Sequence, residues 1–136
     1  MRPIEFRAKR VKDDISVNAG KWVHGSLVRS IDGTFIYGYQ ARCMVKVNPN
    51  TVCEYSGLKD VKGNKLYEGD IVAIKDTGDG FYSQIGTIEF VDYGFQYVMR
   101  KNIDNKRVYA WLTDGEFELI GNVFDNPELL GKGGVK

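Results

Sequence analysis

Thr51-Val52-Cys53-Glu54-Tyr55-Ser56-Gly57-Leu58-Lys59-Asp60-Val61-Lys62-Gly63-Asn64-Lys65-Leu66-Tyr67-Glu68-Gly69-Asp70-Ile71-Val72 is the stretch whose reading decides the fold. It holds three glycines at turn-like positions. Lys62-Gly63-Asn64 reads as a tight turn. Glu68-Gly69-Asp70 reads as a second turn, feeding a strand that runs through Ile71-Val72-Ala73-Ile74. Gly69 would supply a positive φ there, and the Asp70 carboxylate would accept a local backbone N–H. Gly-Asp-Ile-Val opening a strand is common in small SH3-like barrels, so the segment points to short strands joined by tight turns.

The rest of the chain repeats that grammar. Downstream, Phe81 to Asp92 reads as a long strand with a bulge at Gly86. Turns at Tyr93-Gly94, Asp104-Asn105 and Asp114-Gly115 separate Phe95–Arg100, Arg107–Leu112 and Phe117–Ile120. Short strands at roughly ten-residue spacing argue for a small barrel or sandwich. Asn126-Pro127-Glu128-Leu129-Leu130 predicts one helical turn, with Asn126 as N-cap and Pro127 at the first helical position. Upstream, Ile4, Phe6 and Ala8 alternate with Glu5 and Arg7 as a strand does. Residues 9–20 read as a loop, and Trp22–Val28 as a strand. Asp32-Gly33 predicts a two-residue hairpin turn into Thr34–Tyr39. Ala41 to Val47 is extended and closes at Asn48-Pro49-Asn50. No internal repeat and no long amphipathic helix interrupts the pattern.

Composition agrees. The 136 residues are about one domain's length. Glycine, at 16 residues or about 12%, exceeds the usual ~7%, beside 8 Tyr, 7 Phe and only 3 Pro. With 19 Lys and Arg against 18 Asp and Glu the net charge is +1, so no bulk electrostatic case for a nucleic-acid or membrane binder exists. The balance hides an asymmetry. Residues 1–50 carry nine basic and four acidic side chains, a net of +5; residues 51–136 carry ten and fourteen, a net of −4. The two cysteines, Cys43 and Cys53, make neither a disulfide framework nor a CxxC zinc pair. They read as reduced thiols packed as small hydrophobes. No apolar run approaches the ~20 residues that span a bilayer, and no secretory signal follows Met1, so the expected location is the cytoplasm.

Chemistry-bearing constellations are sparse. His24, the single histidine, falls on a strand, and nothing in the sequence brings Cys43 or Cys53 to it. Asp76, Asp79, Asp92, Asp104 and Asp114 sit beside Gly or Asn, where turn chemistry accounts for them. Asp76-Thr77-Gly78-Asp79-Gly80 lacks the spacing and closing Glu of a calcium loop, and no phosphate-loop motif occurs. A metal-dependent reading would use Asp60, Glu68 or Asp70. The expectation is no catalytic set, no cofactor and no metal. The aromatics Tyr82, Phe90, Tyr93, Phe95, Tyr97, Tyr109 and Trp111 serve mainly as core filling. Exposed ones beside Arg100, Lys101, Lys106 and Arg107, with the basic cluster Arg7, Lys9, Arg10 and Lys12, form the candidate nucleic-acid contact. The plainer reading of that cluster is a solvated face or a flexible arm.

Three blocks resemble the YopX family, small proteins encoded largely by bacteriophages and prophages. They are Ile4–Ala8; then Thr51-Val52, Tyr55–Asp60, Gly63 and Leu66–Val72; and finally Ile120-Gly121-Asn122-Val123-Phe124-Asp125-Asn126-Pro127-Glu128-Leu129-Leu130. Ser56 stands where the family usually has Thr. The resemblance implies a phage or prophage context and a largely β structure; it carries no catalytic set. Within the motifs Gly57, Gly63 and Gly69 read as backbone requirements, and Leu58, Tyr67, Ile71 and Val72 as core. Asp60, Glu68, Asp70, Gly121, Asn122, Asn126 and Pro127 read as structural. The expected architecture is all-β: an N-terminal β region (1–54) packed on an SH3-like small barrel (55–130), one short C-terminal helical turn, and a flexible tail (131–136). The expected role is a non-enzymatic accessory protein in a bacterial host. It would act by binding or assembly, as a homo-oligomer or with a phage or host protein, and without a membrane. Nucleic-acid binding is the alternative.

Overall fold

The computed structural model describes residues 4–11, 20–75, 82–91, 96–103, 106–111 and 115–131. In order these form β1 (Phe6–Lys9), β2 (Trp22–Ser30), β3 (Gly33–Gly38), β4 (Met44–Lys46), a 3-10 turn (Pro49–Thr51), β5 (Cys53–Lys59), β6 (Lys65–Tyr67), β7 (Asp70–Lys75), β8 (Tyr82–Val91), β9 (Gln96–Ile103), β10 (Lys106–Trp111), β11 (Glu118–Asn122) and the single-turn helix α1 (Glu128–Gly131). The protein is all-β. It divides into two compact units, Met1–Tyr55 and Ser56–Lys136, with the boundary inside β5.

In the first unit the strands follow one another as antiparallel neighbours in the order β4-β3-β2-β1-β5. Strand alternation sorts the side chains. Ala8, Val23, Ile36, Val45 and Val47 point to one face and are buried together, with Phe6, Leu27 and Val52 packed around them. At about 25 cal/mol per Å² of apolar surface, such a cluster supplies the main stabilisation of the unit. Gly25, opposite Gly38, lies on this inner face. A Cβ at Gly25 would lie 1.9 Å from the Tyr37 carbonyl oxygen, so only glycine permits so close an approach of β3.

In the second unit β10-β9-β8-β7-β11 form a five-stranded antiparallel sheet, and β6 takes the place next to β5 in the other sheet order. Its core joins Leu66, Val72, Ile88 and Phe117, with Leu58, Phe90 and Leu119 half-buried against it. Among the described residues the sheet pairs as an open row, with β10 and β11 at its ends.

Several local expectations change. The β2–β3 connection is Ile31-Asp32, one residue earlier than the Asp32-Gly33 reading, with Ser30 paired to Gly33. Among the described residues Arg42 alone combines a side chain with positive φ, so Ile31 and Asp32 cannot form the turn type that needs positive φ at both centres. Ser30 Oγ accepts from Asp32 N instead (3.1 Å). The fourth strand starts only at Met44, because Gly38 to Cys43 forms a loop closed by Arg42 N donating to Gly38 O (2.8 Å). Gly86 stays in register opposite Val72; the pairing shifts occur between Ile74 and Lys75, and between Leu119 and Gly121. Cys53 is buried as expected, but Cys43 is exposed, because it sits in the loop before β4 rather than under the sheet. The expected turns at Tyr93-Gly94 and Asp104-Asn105, the loop aspartates 76, 79, 92, 104 and 114, and residues 132–136 of the tail lie outside the described residues.

Candidate functional site

The motif residues of the second unit form a set of self-closing turns. At the β5–β6 turn the Asp60 carboxylate accepts from Lys62 N (2.9 Å), Asn64 N (2.7 Å), Asn64 Nδ2 (3.1 Å) and Leu119 N (3.1 Å). Burial pushes the Asp60 carboxyl up, but the bonds from Leu119, Asn64 and Lys62 outweigh it and hold the group below its ordinary value. Asp60 thus ties its own turn to β11. At the β6–β7 turn Tyr67 N donates to Asp70 Oδ2 (2.7 Å), with Gly69 at φ 85° between them. This is the local bond expected of Asp70. Gly57 and Gly63 also hold positive φ, both at 88°.

The C-terminal block closes in the same way. Asn122 Oδ1 accepts from Phe124 N (3.0 Å) and Asp125 N (2.9 Å). Asn126 N donates to Asn122 O (2.8 Å), and Asn122 N donates back to Asn126 Oδ1 (3.2 Å). The Asn126 side chain therefore faces Asn122, not the first turn of α1 as an N-cap would. The helix has only four residues, and β11 offers a better-placed donor. A Cβ at Gly121 would lie 2.7 Å from Asn126 Oδ1, so Gly121 leaves room for this clasp. The blocks meet directly: Val123 N donates to Gly69 O (2.9 Å), and Gly69 N to Ile88 O (3.0 Å). Beside them is a surface pocket of about 420 Å³, bordered by Glu68, Gly69, Thr87, Glu89, Val123 and Leu130. The Thr87 hydroxyl is buried there without a hydrogen-bond partner.

Asp60 and Asp70 are 3% and 1% exposed; Asp70 accepts from its own turn, and Asp60 from its own turn and from β11. Among the described residues no group of three or more His, Cys, Asp or Glu side chains is arranged to hold a metal ion. No described helix is long and apolar enough to cross a membrane.

The basic candidates separate. Arg7 and Lys9 are not on an arm; they lie in β1, between β2 and β5. Arg7 is 7% exposed, with its guanidinium 4.5 Å from the centre of the Trp22 ring, and Lys9 Nζ is 5.4 Å from the same ring. Pairing on both sides explains this, since a central strand cannot lift away. Arg10 bridges to Val47, and Lys12 lies outside the described residues. Arg100 stands opposite both Thr87 and Tyr109, Lys101 opposite Val108, Lys106 opposite Ile103 and Arg107 opposite Asn102. They are therefore distributed along the β9–β10 hairpin.

What sequence reading missed is the outer face of the first unit. On β3, Phe35 is half-buried and Tyr37 is 45% exposed; Tyr39, just past the strand, is 50% exposed. They alternate with Ile36 and Gly38, which face inward. Cross-strand neighbours share a face. Phe35 is therefore flanked by Val28 and Lys46, and Tyr37 by Ser26 and Met44. Tyr39 N donates to His24 O (3.0 Å), which continues the register. Strands β1 to β4 contain Arg7, Lys9, His24, Arg29 and Lys46, and no Asp or Glu. The available signal was the i, i+2, i+4 aromatic series at Phe35, Tyr37 and Tyr39, which reads equally well as core until the inward face is known.

A search of the curated proteins returns no match. The sequence matches the family described as YopX protein over residues 5–131, which takes in the second and third blocks, the first block apart from Ile4, and most of both units. The match covers most of the chain, and this chain belongs to the YopX protein family.

Proposed function

We propose that the protein is a phage or prophage accessory factor that acts by binding or assembly, not catalysis, in the cytoplasm of a bacterial host. The observation that carries this reading is the outer face of β1–β4. The sheet holds Tyr37, Tyr39, Met44 and Lys46 toward solvent, as a recognition surface requires. The carboxylates that might suggest chemistry, Asp60 and Asp70, hold backbone N–H groups of their own turns and, for Asp60, of Leu119 on β11. An SH3-like small barrel remains the reading of the second unit, suited to the same binding role.

Self-association is part of the proposal. The basic first half and acidic second half complement each other between copies, which favours contact of one half with the other half of a neighbour. Light scattering of the full chain at physiological salt should give a multiple of the 15.4 kDa chain mass, falling toward the monomer at high salt. A strict monomer at high concentration overturns the assembly part. Tagged protein recovered from lysogenic cells should carry a partner that is lost with Tyr37→Ser and Tyr39→Ser together. Identical recovery with those substitutions overturns the role of this face.

A further inference from the structure

We infer that the outer face of the first unit is a platform for single-stranded nucleic acid. Phe35, Tyr37 and Tyr39 stack on bases, while Lys46 and Lys9 take phosphates. The inference rests on the proposal that this face binds, and it names the ligand.

Spacing supplies the first argument. Every second residue of an extended strand faces the same side, about 7 Å apart, so the three rings form a row of π-surfaces along one line. Unpaired bases present flat faces of their own, and stacking on such rows is tolerant of sequence. A duplex, whose bases are already stacked, cannot use the row.

Charge supplies the second. Four consecutive strands without an acidic residue present only positive charge from their own side chains. Lys46 is exposed at one border of the row, opposite Phe35, and its stem lies over Gly33. Lys9, half-buried, lies over Trp22; Arg7, over the same ring, is 7% exposed and adds no solvent-facing charge. Lys46 and Lys9 thus come together at one border of the rings, where the end of β1 meets β4 through the Arg10–Val47 bridge and the bonds Asn48 N to Lys9 O (2.9 Å) and Val11 N to Lys46 O (3.3 Å), matching a polyanion that carries a base at every unit. The same charge disfavours the simplest alternative. A two-fold dimer through this face would set the patch against itself, lysine toward lysine.

The test is fluorescence anisotropy of the full chain with labelled oligo-dT and oligo-U of about 16 nucleotides, beside a duplex of the same length. Both single strands should bind at low salt, more tightly than the duplex, and weaken steeply as salt rises. The oligo-dT and oligo-U arms separate DNA from RNA as the natural source. Tyr37→Ala and Tyr39→Ala should each weaken binding about tenfold. Lys46→Ala should reduce the salt slope by about 1. Both tyrosines are exposed, so an unchanged thermal melt certifies that the variants fold.

Absence of binding at low salt overturns the inference, as does equal affinity of wild type and tyrosine variants. If oligonucleotides fail but the tyrosine variants change the mass in light scattering or the recovered partner, the face binds protein; the nucleic-acid inference falls while the binding proposal stands. If nothing changes in any of these measurements, both fall.

Discussion

The two units use polar and aromatic side chains in opposite directions. In the second unit, buried Asp60 and Asp70 and half-buried Asn122 and Asn126 answer backbone N–H groups at turns. In the first, Tyr37, Tyr39 and Lys46 stand outward on the sheet, Tyr37 paired on both sides by β2 and β4 and Lys46 paired to Phe35. The most recognisable motif text thus builds a scaffold, while the exposed chemistry lies on a sheet with little motif text. A signature of glycines and short polar residues marks where the backbone must turn. It does not by itself mark where a ligand sits.

The sharpest way to break this contrast is Asp60→Ala. It removes the acceptor of four N–H groups around a buried site and should cost at least about 3 kcal/mol in urea unfolding. A loss under about 1 kcal/mol would show that the Asp60 turn is not a structural centre. The same group gives a pH signature. Its carboxyl lies below the ordinary 3.8 in the folded chain, so the unfolded chain takes up the proton first. The stabilisation is complete above about pH 4 and is lost as pH falls through the folded value. Asp60→Asn should flatten that acid limb of stability; an unchanged limb assigns it to other groups.

In the first unit the largest effect is expected from Gly25→Ala. The obstructing atom is the Tyr37 carbonyl oxygen, which cannot rotate away, so about 2 kcal/mol is expected, read from the denaturation midpoint. Because β3 carries the aromatic row, this substitution should also disturb oligonucleotide binding, which Asp60→Asn should leave alone. Smaller effects belong to the surface. Tyr37→Ala and Tyr39→Ala should change stability by no more than about 0.5 kcal/mol each, however strongly they affect binding. A large stability loss would place those rings in the fold instead of on a binding face. Smallest is Arg42→Gly. Arg42 holds φ 55°, a conformation costing about 1–2 kcal/mol with a side chain. The added freedom of the unfolded chain offsets part of that, leaving a gain of about 0.5 kcal/mol in melting experiments.

Much of the second unit was legible from residues 51–72. Gly69 followed by Asp70 can hardly be read otherwise than as a turn, because a positive φ and a short acceptor are both local needs. Where a second segment competes, local reading failed. Asn126 has the right type and place for a helix cap, yet its side chain goes to Asn122, since the clasp closes a longer loop than α1 offers. Asp32-Gly33 looked like the hairpin centre, but pairing of Ser30 with Gly33 moves the turn by one residue. The basic cluster Arg7, Lys9, Arg10 and Lys12 reads locally as a solvated face or a flexible arm, with Arg7 at the end of a strand. Pairing of β1 on both sides makes that strand the middle of a sheet and buries Arg7.

By itself, then, the sequence determined the all-β class, the turn positions in its motif blocks and the family, because each depends on backbone preferences over a few residues. Tertiary structure alone decided which side of each strand meets water. Period-two alternation shows that Phe35, Tyr37 and Tyr39 share a side opposite Ile36, but both sides of β3 carry large apolar groups. Only the packing of Ile36 against Ala8, Val23 and Val45 turns that row outward. Burial is a property of what lies across from a strand, and that partner is set by residues far away in the chain.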